Sequence, residues 1–106
     1  MRDLLGNREI DDFCSARSRW ERRWDDLVGI ATAVSFTAAI AWVNRIAEAA
    51  EDLDHHPDID IRWCTLTFRL STHSSGGLTD LDLLLADRID AIVDAADQDP
   101  LRDTAR

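Results

Sequence analysis

The chain has 106 residues, 45% apolar and 31% charged, which suits one domain with one modest core. Its formal net charge is −9, so the clustered cations that grip a phosphate backbone are not expected and neither is a nucleic-acid partner. That its twelve basic residues are all arginine hints at coding bias and not at function. The two cysteines, Cys14 and Cys64, have no CxxC or zinc-ligand spacing and read as thiols of a reducing compartment.

Leu4-Leu5-Gly6-Asn7 leads into a short helix predicted over about residues 8–18, with Asn7 as its cap and Ile10, Phe13 and Cys14 as its apolar stripe. Trp20-Glu21-Arg22-Arg23-Trp24 partly alternates, as an edge strand does. Asp25-Asp26 reads as a turn and Leu27 to Val34 as a second, more buried strand. From Leu27 to Val43 there are seventeen positions without a charge, which touches the lower limit of about 17 residues for a membrane helix. Gly29, Thr32, Ser35 and Thr37 interrupt that run, and Ser35 has the chemistry of a helix N-cap. A buried strand followed by a helix is therefore expected, with no membrane span. The acidic N-terminus lacks the apolar stretch of a signal peptide, so the expected location is cytoplasmic.

The next helix is predicted from Phe36 to Leu53, with Phe36, Ile40, Val43, Ala47 and Ala50 as its core stripe. It must stop near His55, because Pro57 pushes His56 out of the α region. From Ile59 to Thr72 the period is two. Cys64, Leu66, Phe68 and Leu70 share one face. Trp63, Thr65, Thr67, Arg69 and Ser71 share the other, which is open to solvent or to a partner. A kink near Arg62 divides this stretch into two strands. Gly76-Gly77 forms a loop, and Thr79-x-x-Asp82 resembles a capping box. A last helix follows to about Ala96, with Leu81, Leu85, Ile89, Ile92 and Ala96 inward, before a polar tail from about residue 97. The order α-β-β-α-β-β-α predicts an α+β domain: a four-stranded antiparallel sheet with three helices on one face.

Only three histidines are present, and all sit at the edges of the period-two segment: His55-His56-Pro57 before it and His73 after it. Histidine gives and takes protons near neutral pH, so this placement points to a proton-transfer site. Adjacent histidines in extended chain point to opposite faces, and there is no HxxxH or CxxC, so no metal site is expected. Glu51 lies four residues before His55, at the spacing of a helical side-chain pair. Asp82 either orients His73 or only caps the last helix.

Glu51-x-x-x-His55-His56-Pro57, Ser71-Thr72-His73, Gly77-Leu78-Thr79 and Asp82 together resemble the pterin-4a-carbinolamine dehydratase family. The likeness is close over about residues 48–92 and looser before them, through Glu9-Ile10, Trp20 and Phe36. It implies the same α+β fold and the dehydration of 4a-hydroxytetrahydropterin to quinonoid dihydropterin, as a step of tetrahydropterin recycling after an aromatic amino acid hydroxylase. The pterin would be the substrate, with no cofactor. The resemblance makes His55 and His73 the acid/base pair. It makes His56, Glu51, Ser71 and Thr72 the substrate contacts, and Asp82 a support. It also implies a homodimer or tetramer built by sheet extension.

Where the family carries aromatics before Ser35, this chain has Ile30-Ala31-Thr32-Ala33-Val34. Trp42, at a position usually Phe, is expected to fill part of that space. A second reading is a non-catalytic assembly module that binds a protein partner, with Trp20, Trp24 and Trp63 as anchors.

Overall fold

The computed structural model describes residues 2–97. The polar tail expected beyond them, and the inward side chain expected at Ala96, lie outside the residues and side chains described. The elements are α1 (Asn7–Ala16), β1 (Trp20–Arg23), β2 (Asp26–Thr32), α2 (Phe36–Leu53), β3 (Asp58–Arg62), β4 (Thr65–Leu70) and α3 (Asp80–Asp97), with a 3₁₀ turn at His73–Ser75. The four strands form one antiparallel sheet in the order β1-β2-β4-β3. The α+β architecture expected from the sequence is the one observed.

Leu27 and Ala31 of β2 and Leu66, Phe68 and Leu70 of β4 point into a single core, which all three helices complete. Ile10 and Phe13 come from α1, Ala39, Trp42 and Ile46 from α2, and Leu85, Ala86, Ile89 and Val93 from α3. The other face of β4 carries Thr65 and Thr67, half-buried, and Arg69, exposed. No described helix is long and apolar enough to cross a membrane.

Ser35 caps α2 by accepting a hydrogen bond from the Ala38 amide at 3.1 Å. The buried residues of α2 are Ala39, Trp42, Ile46, Ala49 and Ala50, so of the expected stripe Ala50 is buried and Val43 packs against the core, while Phe36 stands 53% exposed. Helix α2 is apolar on two stripes, and the stripe with the large Trp42 ring removes more surface from water when turned inward. Trp42 shares the core with Ala31 and Ala33, where the strand lacks aromatics. Helix α1 begins one residue earlier than expected. Its cap is Gly6, whose amide donates to Glu9 Oε1 at 3.3 Å, while Asn7 Oδ1 accepts from Arg22.

Trp20 is a core residue and not an interface anchor. It is 2% exposed, it lies 6.2 Å from Phe68 between ring centroids, and its Nε1 donates to Asp90 Oδ1 at 2.9 Å. Gly29 makes room for this ring. Trp20 and Gly29 are directly opposite in the β1–β2 register, and a Cβ at Gly29 would lie 2.7 Å from the indole. Gly29→Ala is therefore expected to lower stability by about 1–3 kcal/mol, the range for an overpacked core. A chemical-denaturation midpoint equal to that of the wild type would show that the ring can shift freely.

Two arginines between α1 and β1 pair with α3. Arg17 pairs with Asp87 at 2.9 Å, and Arg19 spans Asp90 and Asp94. Burial opposes the Arg19 charge, but its hydrogen bonds to Asp90 and Asp94 outweigh that and raise its pKa.

Both hairpins have two-residue loops, Trp24-Asp25 and Trp63-Cys64, and each loop opens with a tryptophan at φ 53. That left-handed backbone suits Gly or Asn and disfavours a bulky side chain by about 1–2 kcal/mol.

Candidate active site

The sheet register places the histidines at one end of the sheet. Leu27 faces Leu70 and Asp58 faces Arg69, so β2 and β3 both begin where β4 ends. Ser71-Thr72-His73 leaves β4 at that end, between the β1–β2 turn on one side and His55-His56 on the other.

A helix terminus aims His55. Asp54 has φ 48, the Asp54 amide donates to Glu51 O at 3.2 Å, and the His55 amide donates to Ala50 O at 3.0 Å. This double closure is the Schellman pattern, and Asp tolerates its left-handed residue. It turns the His55 ring inward to 9% exposure, while His56 is exposed.

His55 and Asp82 form the buried centre of the site. Their Nε2 and Oδ1 atoms are 2.6 Å apart. As a carboxylate, Asp82 can only accept, so His55 donates Nε2–H, and in a neutral ring Nδ1 would then be the acceptor. Asp82 Oδ2 accepts from Thr72 Oγ1 at 2.8 Å and from the Thr79 amide at 2.9 Å. With its own proton directed to Asp82, Thr72 Oγ1 accepts from Thr79 Oγ1 at 2.7 Å. Thr72, Thr79 and Asp82 are all buried, at 5%, 0% and 0% exposure. Asp82 thus caps α3 and holds a histidine at once, but the histidine is His55 and not His73.

Glu51 is displaced in the same way. It pairs through Oε2 with His56 Nε2 and not with His55, because the Schellman turn carries His55 across toward α3. Both partners of the Glu51–His56 pair are well exposed.

His73 stands at the start of a tight loop. The Thr72 amide donates to Gly77 O at 2.9 Å, and the Ser75 and Gly76 amides both donate to Thr72 O at 3.0 Å. Gly76 has φ 79, which glycine adopts freely. His73 is exposed and makes no side-chain hydrogen bond among the described residues. It lines a cleft of about 360 Å³ with Ser71, Gly76, Trp24, Asp25 and Asp26, within the size range of small-molecule sites. The Thr72 backbone groups are thus taken within the loop and its hydroxyl is tied to Asp82, so it supports the site and Ser71 is the one that faces the cleft.

Thr79 is marked in the sequence by its capping box with Asp82, whereas the turn residues Trp24 to Asp26 carry no motif that points to a site. The signal for the turn is register: continuing the β2–β4 pairing past Leu27 and Leu70 sets Asp26 beside Ser71 and Trp24 near His73. Among the described residues, no group of three or more His, Cys, Asp or Glu comes together in a way that could hold a metal ion.

Comparison with known proteins identifies the family. The family model described as pterin 4 alpha carbinolamine dehydratase matches residues 3–92. The chain belongs to this family. A Nocardia farcinica protein that carries the pterin-4-alpha-carbinolamine dehydratase name is 51% identical over 90 residues, which cover 85% of this chain and 95% of the relative. A Mycobacteroides abscessus protein of the same name is 52% identical over 87 residues, covering 82% and 93%. Among solved structures, a transcriptional coactivator/pterin dehydratase from Brucella melitensis superposes with a TM-score of 0.81 at 27% identity, covering 86% of this chain and 99% of that one. A pterin dehydratase-like RuBisCO assembly factor of the alpha-carboxysome shares the fold, with a TM-score of 0.59 at 20% identity over 71% of this chain and 87% of that one.

Proposed function

We propose that this protein dehydrates a 4a-hydroxytetrahydropterin to the quinonoid dihydropterin, with His55 and His73 moving the protons. The observation that carries this reading is the buried His55–Asp82 pair, anchored by Thr72 and Thr79, at the sheet end where His73 lines a cleft. Membership of the dehydratase family supports the overall reaction.

The reaction breaks the C4a–O bond and the N5–H bond, forms C4a=N5, and releases water. A neutral His55 has a free Nδ1 lone pair to take the N5 proton. Asp82 holds the ring in that tautomer and stabilises the imidazolium that results, as a carboxylate does for a general-base histidine. His73, when protonated, donates to the departing hydroxide. His56, steadied by Glu51, and Ser71 offer polar contacts for the edges of the pterin ring. No cofactor enters the scheme.

The setting we infer is cytoplasmic tetrahydropterin recycling downstream of an aromatic amino acid hydroxylase. The protein would act as a homodimer or tetramer joined through an open sheet edge, β1 or β3, since unpaired edges favour pairing. To test the reaction, the carbinolamine is generated in solution and its loss followed by absorbance, with and without the purified protein. Faster loss with protein is expected, and no acceleration by folded protein would overturn the proposal.

A second reading, assembly with a protein partner, is favoured by one observation. Ile30, Val34, Phe36 and Trp63 are all exposed, at 49%, 62%, 53% and 76%. They follow the sequence toward the sheet end remote from the histidines, where Ala33 N bonds to Cys64 O.

A further inference from the structure

We infer that Trp24, at the β1–β2 turn, is the aromatic wall against which the substrate's flat ring stacks, and so a specificity-determining residue. The inference rests on the pterin reading above. Trp24 lines the same cleft as His73 and Ser71 and is 90% exposed. An indole bare on that cleft offers its face to a planar heterocycle, and offset stacking is the favoured geometry for such pairs. The turn that carries it is braced from β1 and α1. Arg22 donates from Nε to Trp24 O at 3.0 Å and from its guanidinium to Asn7 Oδ1 at 2.6 Å. Asp25 and Asp26 line the cleft too, and their carboxylates can accept from the N–H and amino donors on the edge of a pterin ring.

Exposure and backbone strain alone do not single Trp24 out. Trp63 has the same φ of 53, the same place in the other two-residue hairpin loop, and 76% exposure. What separates them is position. Trp24 stands at the histidine end of the sheet, whereas Trp63 joins β3 to β4 at the opposite end. Trp63 is therefore a built-in control.

The experiment compares Trp24→Asn, Trp24→Phe and Trp63→Asn in the full chain. Asn accepts the left-handed turn, so both Asn variants should fold and melt at least as high as the wild type. For carbinolamine dehydration, Trp24→Asn should raise KM roughly tenfold, the scale of one aromatic–base stack, with kcat within about twofold. Trp24→Phe should recover most of that loss, and Trp63→Asn should leave KM unchanged. Binding of 7,8-dihydrobiopterin, measured by calorimetry, should follow the same order. An active wild type with unchanged KM and dihydrobiopterin affinity in Trp24→Asn overturns the stacking role and leaves the proposed reaction standing. An inactive wild type that binds no dihydrobiopterin overturns both.

Discussion

Asp82→Asn is expected to slow dehydration by roughly 10²–10⁴-fold, the span of one general acid–base group, while the protein stays folded. The reason is the directionality of its hydrogen bonds. Asp82 Oδ2 accepts from both the Thr79 amide and the Thr72 hydroxyl. An asparagine must keep its carbonyl oxygen there, which turns its NH₂ group toward His55. The ring then has to accept at Nε2 and carry its proton on Nδ1, the wrong tautomer for a base. A merely structural role would predict something else: lost stability with an unaltered turnover per folded molecule. Nitrogen-15 shifts of the His55 ring distinguish the two directly. A variant with wild-type kcat and a flipped tautomer would remove His55 from the mechanism. Asp82→Ala is the harsher change. It leaves the Thr79 amide and the His55 Nε2–H without partners in a buried place, at about 1–3 kcal/mol for each group.

His73→Ala is expected to lower kcat on a similar scale, roughly 10²–10⁴-fold, for a different reason and with a different thermodynamic record. The side chain is exposed and makes no hydrogen bond among the described residues. Its removal should therefore change stability by no more than about 0.5 kcal/mol, as for ordinary surface positions. Added imidazole should restore part of the rate, because the cleft beside Ser71 and Gly76 is open to solvent. Unchanged turnover in the folded variant would leave the departing hydroxide without the proposed acid. The contrast between the two variants is informative in itself. One site residue belongs to the architecture of the core and the other belongs only to the cleft.

Much of the fold was legible in the sequence where local chemistry decides structure. The Ser35 cap, the period-two run of Cys64, Leu66, Phe68 and Leu70, and the proline after His56 each act on neighbouring residues, and each predicts its element correctly. The histidine frame was legible for the same reason. The carboxylate partners were not. Spacing along a helix suggests that Glu51 reaches His55, and chain proximity suggests that Asp82 serves His73. The left-handed residue at Asp54 reverses both, because one backbone rotation sends His55 across to α3 and returns His56 to Glu51. Trp20 was illegible for a tertiary reason: it needs Gly29 opposite it and Asp90 from the last helix, and neither is close in sequence. The partly offset stripe of α2 reflects a helix with two apolar sides, where only the facing sheet decides which one is covered.

The double duty of Asp82 has a dynamic consequence. The bond that caps α3 and the bond that holds His55 share one carboxylate, so opening of the first helical turn is expected to loosen the histidine. Helix ends open more readily than helix centres, so under the proposed mechanism the fraction of molecules with His55 in place should follow the fraying of the first turn of α3. The amide proton of Thr79 is therefore a silent reporter on the active site: its exchange with solvent deuterium should quicken under any condition that unseats His55, and slow when an occupant of the cleft keeps the helix closed.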